Sequence, residues 1–249
     1  MTETANCSIV NDIVVIMDES GSMGQLGDEP NQALNSFITE QKNALSDNAT
    51  FTLWGFNHEI SLKIDDVPLN ELDTITNIIP NGMTALFDAI GNAINTKLGK
   101  ARKDNVICVV ITDGLENSSK EFNKDQIQKM IKLAEEKHQW KFVYLGANQD
   151  AFAVGENMGV YRNCCVQFEA NHGELLRATR AVSENIAVYR NASSQGTHDS
   201  DFALGDIEHD TEHHPPPVVR QPYNPPHLNL AVSPNLNRPP SLSRQTSFA

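Results

Sequence analysis

The chain has 249 residues, a net charge of −13 at pH 7, and 12 prolines that are concentrated near the C-terminus. This length suffices for one well-buried α/β domain with an appendage. The excess of acidic residues argues against nucleic-acid partners and against anionic membrane surfaces, because no basic patch offsets the repulsion of phosphate groups.

The first predicted element is a buried strand at residues 13–17, a short apolar run rich in β-branched side chains. Asp18, Ser20 and Ser22 follow it directly, so one carboxylate and two hydroxyls lie just past the carboxyl end of a strand. Open α/β sheets bind their ligands at this edge. Oxygen ligands suit a hard cation such as Mg²⁺, although Asp, Ser and Gly are also frequent in turns and helix caps.

The next elements predict a helix, a hairpin and a second helix. Apolar spacings of three and four residues predict the helices, and the short turn around His58 predicts that the hairpin is antiparallel, with its second strand at the edge of the sheet. In chain order we expect a helix at 31–45, strands at 51–56 and 60–67, a short helical connector at 70–77, a loop at 81–84 and a helix at 85–98.

The clearest strand in the sequence is the continuous apolar run at residues 106–112, which stops at Asp113 and Gly114. A second carboxylate therefore reaches the carboxyl end of a strand, as Asp18 does. The remaining predicted elements are a helix at 124–138, a strand at 142–145, a helix at 150–158 with Asp150 as N-cap, a strand at 164–168 and a closing helix at 174–189.

The alternation of strands and helices predicts an α/β fold. We expect a Rossmann-like, doubly wound, mostly parallel six-stranded sheet, with one antiparallel edge strand and helices on both faces. This domain should span residues 7–190. Residues 191–249 contain proline clusters and few large apolar side chains, so we predict a disordered low-complexity tail there.

The N-terminal residues carry neither the basic start nor the long apolar stretch of a signal peptide, and the first strand is too short to span a bilayer. We therefore expect an intracellular, cytoplasmic protein. Its four cysteines, Cys7, Cys108, Cys164 and Cys165, lack the spaced pairs of a zinc site and are predicted to be reduced thiols packed as small apolar residues.

Three loops carry the motifs Asp-Glu-Ser-Gly-Ser-Met at residues 18–23, Gly-Met-Thr-Ala-Leu-Phe-Asp-Ala-Ile at residues 82–90 and Ile-Thr-Asp-Gly-Leu-Glu-Asn at residues 111–117. Together these motifs resemble those of the von Willebrand factor A domain, the integrin I-like fold. The resemblance covers roughly residues 7–190, with strands, helices and loops in the order of the family.

This resemblance implies an intact metal-ion-dependent adhesion site for Mg²⁺, with Mn²⁺ or Ca²⁺ as alternatives. Ser20 and Ser22 would then coordinate the metal directly, and Thr84 would do so directly or through water. Asp18 and Asp113 would act mostly through water and by orienting the hydroxyls. If neutral hydroxyls surround the ion, it keeps most of its positive charge for a Glu or Asp of a partner protein.

The leading hypothesis is a non-catalytic, Mg²⁺-dependent protein-binding module, acting as an intracellular scaffold or assembly factor. A metal-assisted phosphohydrolase is the competing hypothesis. It would need a positive clamp on the phosphate, and no Arg or Lys lies in the three loops. A third possibility is a domain in which the metal only orders the loops.

Four neighbours of these motifs have their own expected roles. Gly82 and Gly114 suit loops that pass close to an ion, or ordinary turns. Asp88 and Asn117 should cap or brace the loops rather than bind the metal. His58 could stand on the same rim, although an exposed turn residue is the simpler interpretation.

Overall fold

Six strands form one mixed sheet in the computed structural model, which describes residues 10–44, 49–100, 105–147, 150–194 and 202. All of these residues belong to the unit Met1–Ile207, and the second unit, Glu208–Ala249, lies outside the described part of the chain. The strands are β1 (Asn11–Asp18), β2 (Ala49–Phe56), β3 (Ile60–Pro68), β4 (Asn105–Thr112), β5 (Lys141–Ala147) and β6 (Cys165–Phe168).

The sheet has the order β3-β2-β1-β4-β5-β6, and only the edge strand β3 runs antiparallel to its neighbour. In the centre, Val15 of β1 lies opposite Leu53 of β2 and Val109 of β4. β1 and β4 are buried along their whole length, which explains why both are continuous apolar runs. The predicted fold class, including its antiparallel edge, is confirmed.

Five α-helices cover the sheet in two groups. The first and fifth helices in chain order pack against each other, and the second, third and fourth follow one another along the sheet. The parallel connections β1 to β2 and β4 to β5 run in opposite directions along the strand order, so right-handed crossovers place the two groups on opposite faces. The helices are α1 (Glu29–Asn43), α2 (Leu86–Leu98), α3 (Lys124–His138), α4 (Ala151–Met158) and α5 (Glu174–Ser194), with α1 against α5.

Side chains cap the starts of α3 and α4. Asp150 accepts a hydrogen bond from the amide of Ala153 at 2.9 Å, which confirms it as the N-cap of α4. Asn123 and Gln126 form a capping box at the start of α3. The bounds of two helices differ from prediction by two residues or more: α1 spans Glu29–Asn43 rather than residues 31–45, and α5 continues to Ser194 rather than ending at residue 189.

The helical connector predicted at residues 70–77 is wrong. Only a 3₁₀ turn, Leu69–Glu71, is present, and the chain then runs without helix past α1. Asn35 of α1 bonds both the amide and the carbonyl of Ile75, at 2.8 and 2.7 Å. Because side chains of α1 satisfy this backbone, it needs no helix of its own. The three-residue spacing of the apolar side chains reflects burial of an extended segment.

The described cysteines are unpaired. Cys108, Cys164 and Cys165 are buried, and burial raises the thiol pKa of all three, to about 12 for the last two. This agrees with the predicted packing role. Cys7 and nearly all of the predicted tail lie outside the described residues. In the part of the chain that the structure describes, no helix is both long and apolar enough to cross a membrane.

Candidate metal centre

Backbone hydrogen bonds hold the three motif loops together at the carboxyl edge of the sheet. The amide of Gly21 donates to the carbonyl of Gly82 at 3.0 Å, joining the loop after β1 to the loop before α2. The amide of Asn117 donates to the carbonyl of Thr84 at 3.0 Å, joining that loop to the segment after β4. The convergence predicted from the parallel strands is therefore present.

Asp18 is fully buried at the end of β1. One carboxylate oxygen accepts from the amide of Ser20 at 2.6 Å, and the other accepts from the Thr112 hydroxyl at 2.5 Å. Burial raises the pKa of Asp18 to about 6, although these hydrogen bonds lower it, and the nearby Asp113 raises it further. The ionised form of Asp18 is therefore destabilised at this site, and a cation beside it would stabilise that form.

The two serines and Asp113 form a chain of hydrogen bonds across two loops. The hydroxyls of Ser20 and Ser22 lie 3.0 Å apart, and Ser22 Oγ donates to Asp113 Oδ1 at 2.6 Å. Burial also raises the pKa of Asp113, against the effect of the Ser22 hydrogen bond. Because Ser22 donates its one hydroxyl hydrogen to Asp113, it accepts the hydrogen bond from Ser20, and one lone pair of its oxygen remains available.

Thr84 completes the group from the third loop. Its side chain is buried, and its hydroxyl has no hydrogen-bond partner among the described residues. A Cβ added to Gly114 would lie 3.0 Å from Thr84 Oγ1 and 3.7 Å from Ser22 Oγ. Gly114 therefore lets the two hydroxyls lie close together around it, and any side chain at this position would crowd them. All five predicted ligand positions meet in one place.

The charge of this cluster is uncompensated. Among the described residues, no Lys or Arg forms a hydrogen bond or salt bridge with Asp18, Asp113 or the three hydroxyls. The neighbouring Glu19, by contrast, is paired with Lys63 at 2.7 Å. No group of three or more His, Cys, Asp or Glu side chains suited to a metal occurs in the described ranges, so a cation at this cluster would also need hydroxyl ligands.

The oxygen-only donor set fits a hard divalent cation. Two carboxylates, a hydroxyl without a partner and a small space kept by Gly114 suit Mg²⁺, which prefers oxygen ligands and retains several waters. Nitrogen and sulfur ligands, which zinc favours, are not part of the cluster.

Carboxylates and amides brace the loops that carry the hydroxyls. Asp88 accepts hydrogen bonds from three successive backbone amides, those of residues 120–122, at 2.7 to 2.9 Å. Asn117 accepts from the amide of Thr84 at 2.9 Å. Both residues therefore act as braces, as predicted. Glu116 was not predicted: it accepts from the amides of Phe87 and Ser119 and so joins the start of α2 to the loop after β4.

His58 reaches the same rim from the turn between β2 and β3. Its side chain is exposed, and its imidazole lies over Gly82: a Cβ on Gly82 would be 2.2 Å from His58 Nδ1. Gly82 also has a φ of +79°, which disfavours any other residue. The turn is thus packed against the loop that carries Thr84, and the amide of Ala85 donates to the carbonyl of Asn57 at 2.7 Å.

Solved structures with this fold are similar to the chain at low sequence identity. The vWF domain of the type V pili tip protein Mfa5 from Porphyromonas gingivalis has a TM-score of 0.55 at 12% identity, covering 73% of this chain and 96% of that one. The pilus adhesin SpaC from Lactobacillus rhamnosus GG has a TM-score of 0.54 at 14% identity, over 74% and 30%. Proximal thread matrix protein 1 from the mussel byssus has a TM-score of 0.52 at 14% identity, over 73% and 46%.

These similarities show that the chain has a von Willebrand factor A-type fold, and they extend no further than the fold. The chain spans less than half the length of the mussel and Lactobacillus proteins. No protein-family model matches the chain, and no curated protein matches it by sequence.

Proposed function

We propose that the protein is a non-catalytic protein-binding module that works through Mg²⁺ held at the candidate metal centre. The observation that carries the proposal is the convergence of two carboxylates and three hydroxyls with no basic side chain bonded to them in the described residues. An uncompensated acidic cluster at a ligand-binding edge of the sheet suits an external cation.

In this proposal each residue has a separate task. Ser20 and Ser22 hold the ion directly, and Thr84 does so directly or through water. Asp113 fixes the hydroxyl of Ser22 at 2.6 Å, and Asp18 fixes the backbone at Ser20 at 2.6 Å, so both carboxylates orient the hydroxyls and accept from bound water. Bound Mg²⁺ would supply a coordination position that a Glu or Asp side chain of a partner can occupy.

Binding suits this cluster better than phosphoryl transfer. Phosphohydrolases need positive groups that stabilise the charge on the phosphate, and the nearby Lys63 is already engaged by Glu19. The arrangement instead leaves Asp18 and Asp113 without a basic partner among the described residues, which suits a bound cation.

We also propose that the protein acts inside cells as a scaffold or assembly factor, with no nucleic-acid or membrane partner. The free, buried cysteines among the described residues support a reducing compartment, and the net charge of −13 supports the absence of nucleic acid. Cell fractionation of the tagged full chain tests the location: recovery in the cytosol supports it, and recovery outside the cell contradicts it.

The test of the binding mechanism combines metal titration with partner capture. We expect Mg²⁺ to raise the melting temperature of the full chain and EDTA to reverse the rise. Asp113→Ala should abolish this response and the Mg²⁺-dependent part of partner capture, whereas Asp125→Ala, an exposed carboxylate on α3, should leave both unchanged.

Two outcomes would contradict the proposal. Partner capture that is identical with Mg²⁺, with EDTA and with Asp113→Ala would exclude metal-mediated binding. A melting temperature that rises with Mg²⁺ while no partner depends on the ion would show that the metal only orders the loops.

A further inference from the structure

Three large apolar side chains are exposed on the loops around the candidate metal centre. Ile79 is 70% exposed, Met83 is 55% exposed and Leu115 is 60% exposed. We call these three residues the apolar rim. Exposing large apolar side chains is unfavourable, so neighbouring exposed ones indicate a surface that another molecule covers.

The apolar rim is continuous with the candidate ligands. Met83 directly precedes Thr84, and Leu115 directly follows Gly114. These two loops are in contact, because a Cβ on Gly114 would lie 3.0 Å from Thr84 Oγ1. Ile79 belongs to the segment whose next residue, Pro80, lies against Gly24 of the loop after β1. The rim therefore lies on two of the three loops that meet at the centre, and the segment that carries Ile79 contacts the third.

Large apolar side chains are not exposed in neighbouring groups elsewhere on the described surface. The other exposed large apolar residues of the described ranges are on separate elements: Leu62 on β3, Leu133 on α3, Tyr161 before a 3₁₀ turn and Val188 on α5. Apolar neighbours of the rim are buried, as Ile78 and Leu86 show. Among the described residues, exposed large apolar side chains come from loops that contact one another only at the candidate metal centre.

We propose that the partner of the candidate metal centre is a protein segment in which a Glu or Asp is flanked by large apolar residues that pack on Met83 and Leu115. This inference rests on the proposed function, because the carboxylate is held through Mg²⁺. Charge supports this choice of partner. Without a cation, the carboxylates of Asp18 and Asp113 would repel an acidic partner, so a bound ion would be needed to attract the partner's carboxylate. The apolar rim would then favour apolar residues beside that carboxylate.

The test is a selection of random linear peptides on the full chain, with Mg²⁺ or with EDTA. The wild type should enrich peptides with Asp or Glu beside Leu, Ile, Phe or Met, and only with Mg²⁺. The Met83→Ser, Leu115→Ser double variant should keep the acidic preference but lose the apolar one, and should bind the selected peptide about tenfold more weakly. The matched control, Leu133→Ser with Val188→Ser, should select and bind like the wild type.

Three results would overturn the inference. Unchanged selection by the Met83→Ser, Leu115→Ser variant would show that the rim takes no part. Enrichment of Lys- or Arg-rich peptides in EDTA would show that the acidic cluster binds a basic partner directly. A Mg²⁺-dependent dimer in sedimentation that the double variant dissociates would show that a second copy of the chain covers the rim.

The inference and the proposed function fail separately. The double variant should keep the Mg²⁺-dependent rise in melting temperature, because none of its changes touches a candidate ligand. If Asp113→Ala keeps that rise and the acidic preference, the proposed function fails. If only the apolar preference is missing from the wild type, the inference alone fails.

Discussion

An aspartate is buried at each end of β1, and the two aspartates differ in the charge of their neighbours. At the amino end, Asp12 is 1% exposed and forms a salt bridge with Lys97 at 2.6 Å. Lys97 and Lys100 also pair with Asp66 of β3, so several charges neutralise one another there. At the carboxyl end, Asp18 is equally buried, but its strongest charged neighbour is another carboxylate, Asp113.

This difference identifies the acidic cluster at which we propose an external cation. A buried carboxylate is costly unless a positive group compensates it. The chain supplies that group to Asp12 with a lysine from α2, and supplies only hydroxyls and amides to Asp18. Asp12 is therefore neutralised within the described residues, whereas Asp18 belongs to the cluster at which we propose that a metal ion binds.

The largest expected effect on stability comes from breaking the salt bridge between Asp12 and Lys97 at the amino end of β1. Lys97→Met leaves Asp12 buried without its salt bridge and should lower the free energy of unfolding by about 3–5 kcal/mol, measured by urea denaturation. Lys100→Met is the control, because that lysine is more exposed and should cost about 1 kcal/mol or less. Equal stabilities of Lys97→Met and the wild type would contradict the contrast between the two ends.

The matching change at the carboxyl end should behave differently. Asp18→Asn removes a buried charge that has no basic partner, so without metal its free energy of unfolding should equal or exceed that of the wild type. Its stabilisation by Mg²⁺, about 2.7 kcal/mol for the wild type at an ion concentration 100 times Kd, should disappear. A large loss of stability in EDTA would show that Asp18 is a structural residue like Asp12.

The two ends should also titrate with opposite signs. Burial raises the pKa of Asp18 to about 6, so its ionised form destabilises the metal-free fold. That penalty should vanish as pH falls from above 6 to about 4, and Mg²⁺ affinity should fall about tenfold per pH unit below 6, because protons compete with the ion.

At the amino end the direction is reversed. Burial tends to raise the pKa of Asp66, but hydrogen bonds from Lys100 and Lys97 outweigh it and lower that pKa below its ordinary value. Its contribution is therefore present above the unfolded pKa of about 3.9 and is lost as pH falls through the lower folded pKa. Urea denaturation of the wild type and Asp18→Asn against pH measures both effects; a difference between the two proteins that does not change between pH 7 and 4 would contradict the first.

The smallest expected effect tests the space between the hydroxyls. Gly114→Ala places a Cβ 3.0 Å from Thr84 Oγ1, so Mg²⁺ affinity measured by calorimetry should fall about threefold while the fold stays intact. Gly24→Ala is the matched control, since its Cβ would make only an ordinary contact with Pro80 at 3.7 Å. Equal affinities of the two variants would mean that Gly114 is only a turn residue.

The proximity of Asp18 and Asp113 could be predicted from the sequence because parallel strands deliver their carboxyl ends to one edge of the sheet. Asp18 and Asp113 each follow a continuous apolar run, so their proximity follows from topology alone. The bracing by Glu116 and the salt bridge between Asp12 and Lys97 could not be predicted, because these partners are 29 and 85 residues apart and meet only through tertiary packing.

Local pattern failed where tertiary contacts override it. The predicted helix at residues 70–77 rested on apolar spacing, but buried extended chain can show the same spacing when a neighbouring helix satisfies its backbone. Asn35 and Lys42 of α1 do so here, with hydrogen bonds to Ile75 and Leu72. Nothing within the segment itself reveals those partners.

The most direct test of the account is a crystal of the full chain soaked in Mn²⁺, with anomalous scattering used to locate the ion. We expect one anomalous peak at the carboxyl edge of the sheet, within coordination distance of the Ser20 and Ser22 hydroxyls, and no peak beside Asp12. A map without a peak at that edge at saturating Mn²⁺, with Ser22 still bonded to Asp113 and Ser20, would contradict the claim that the chain leaves this place for a cation.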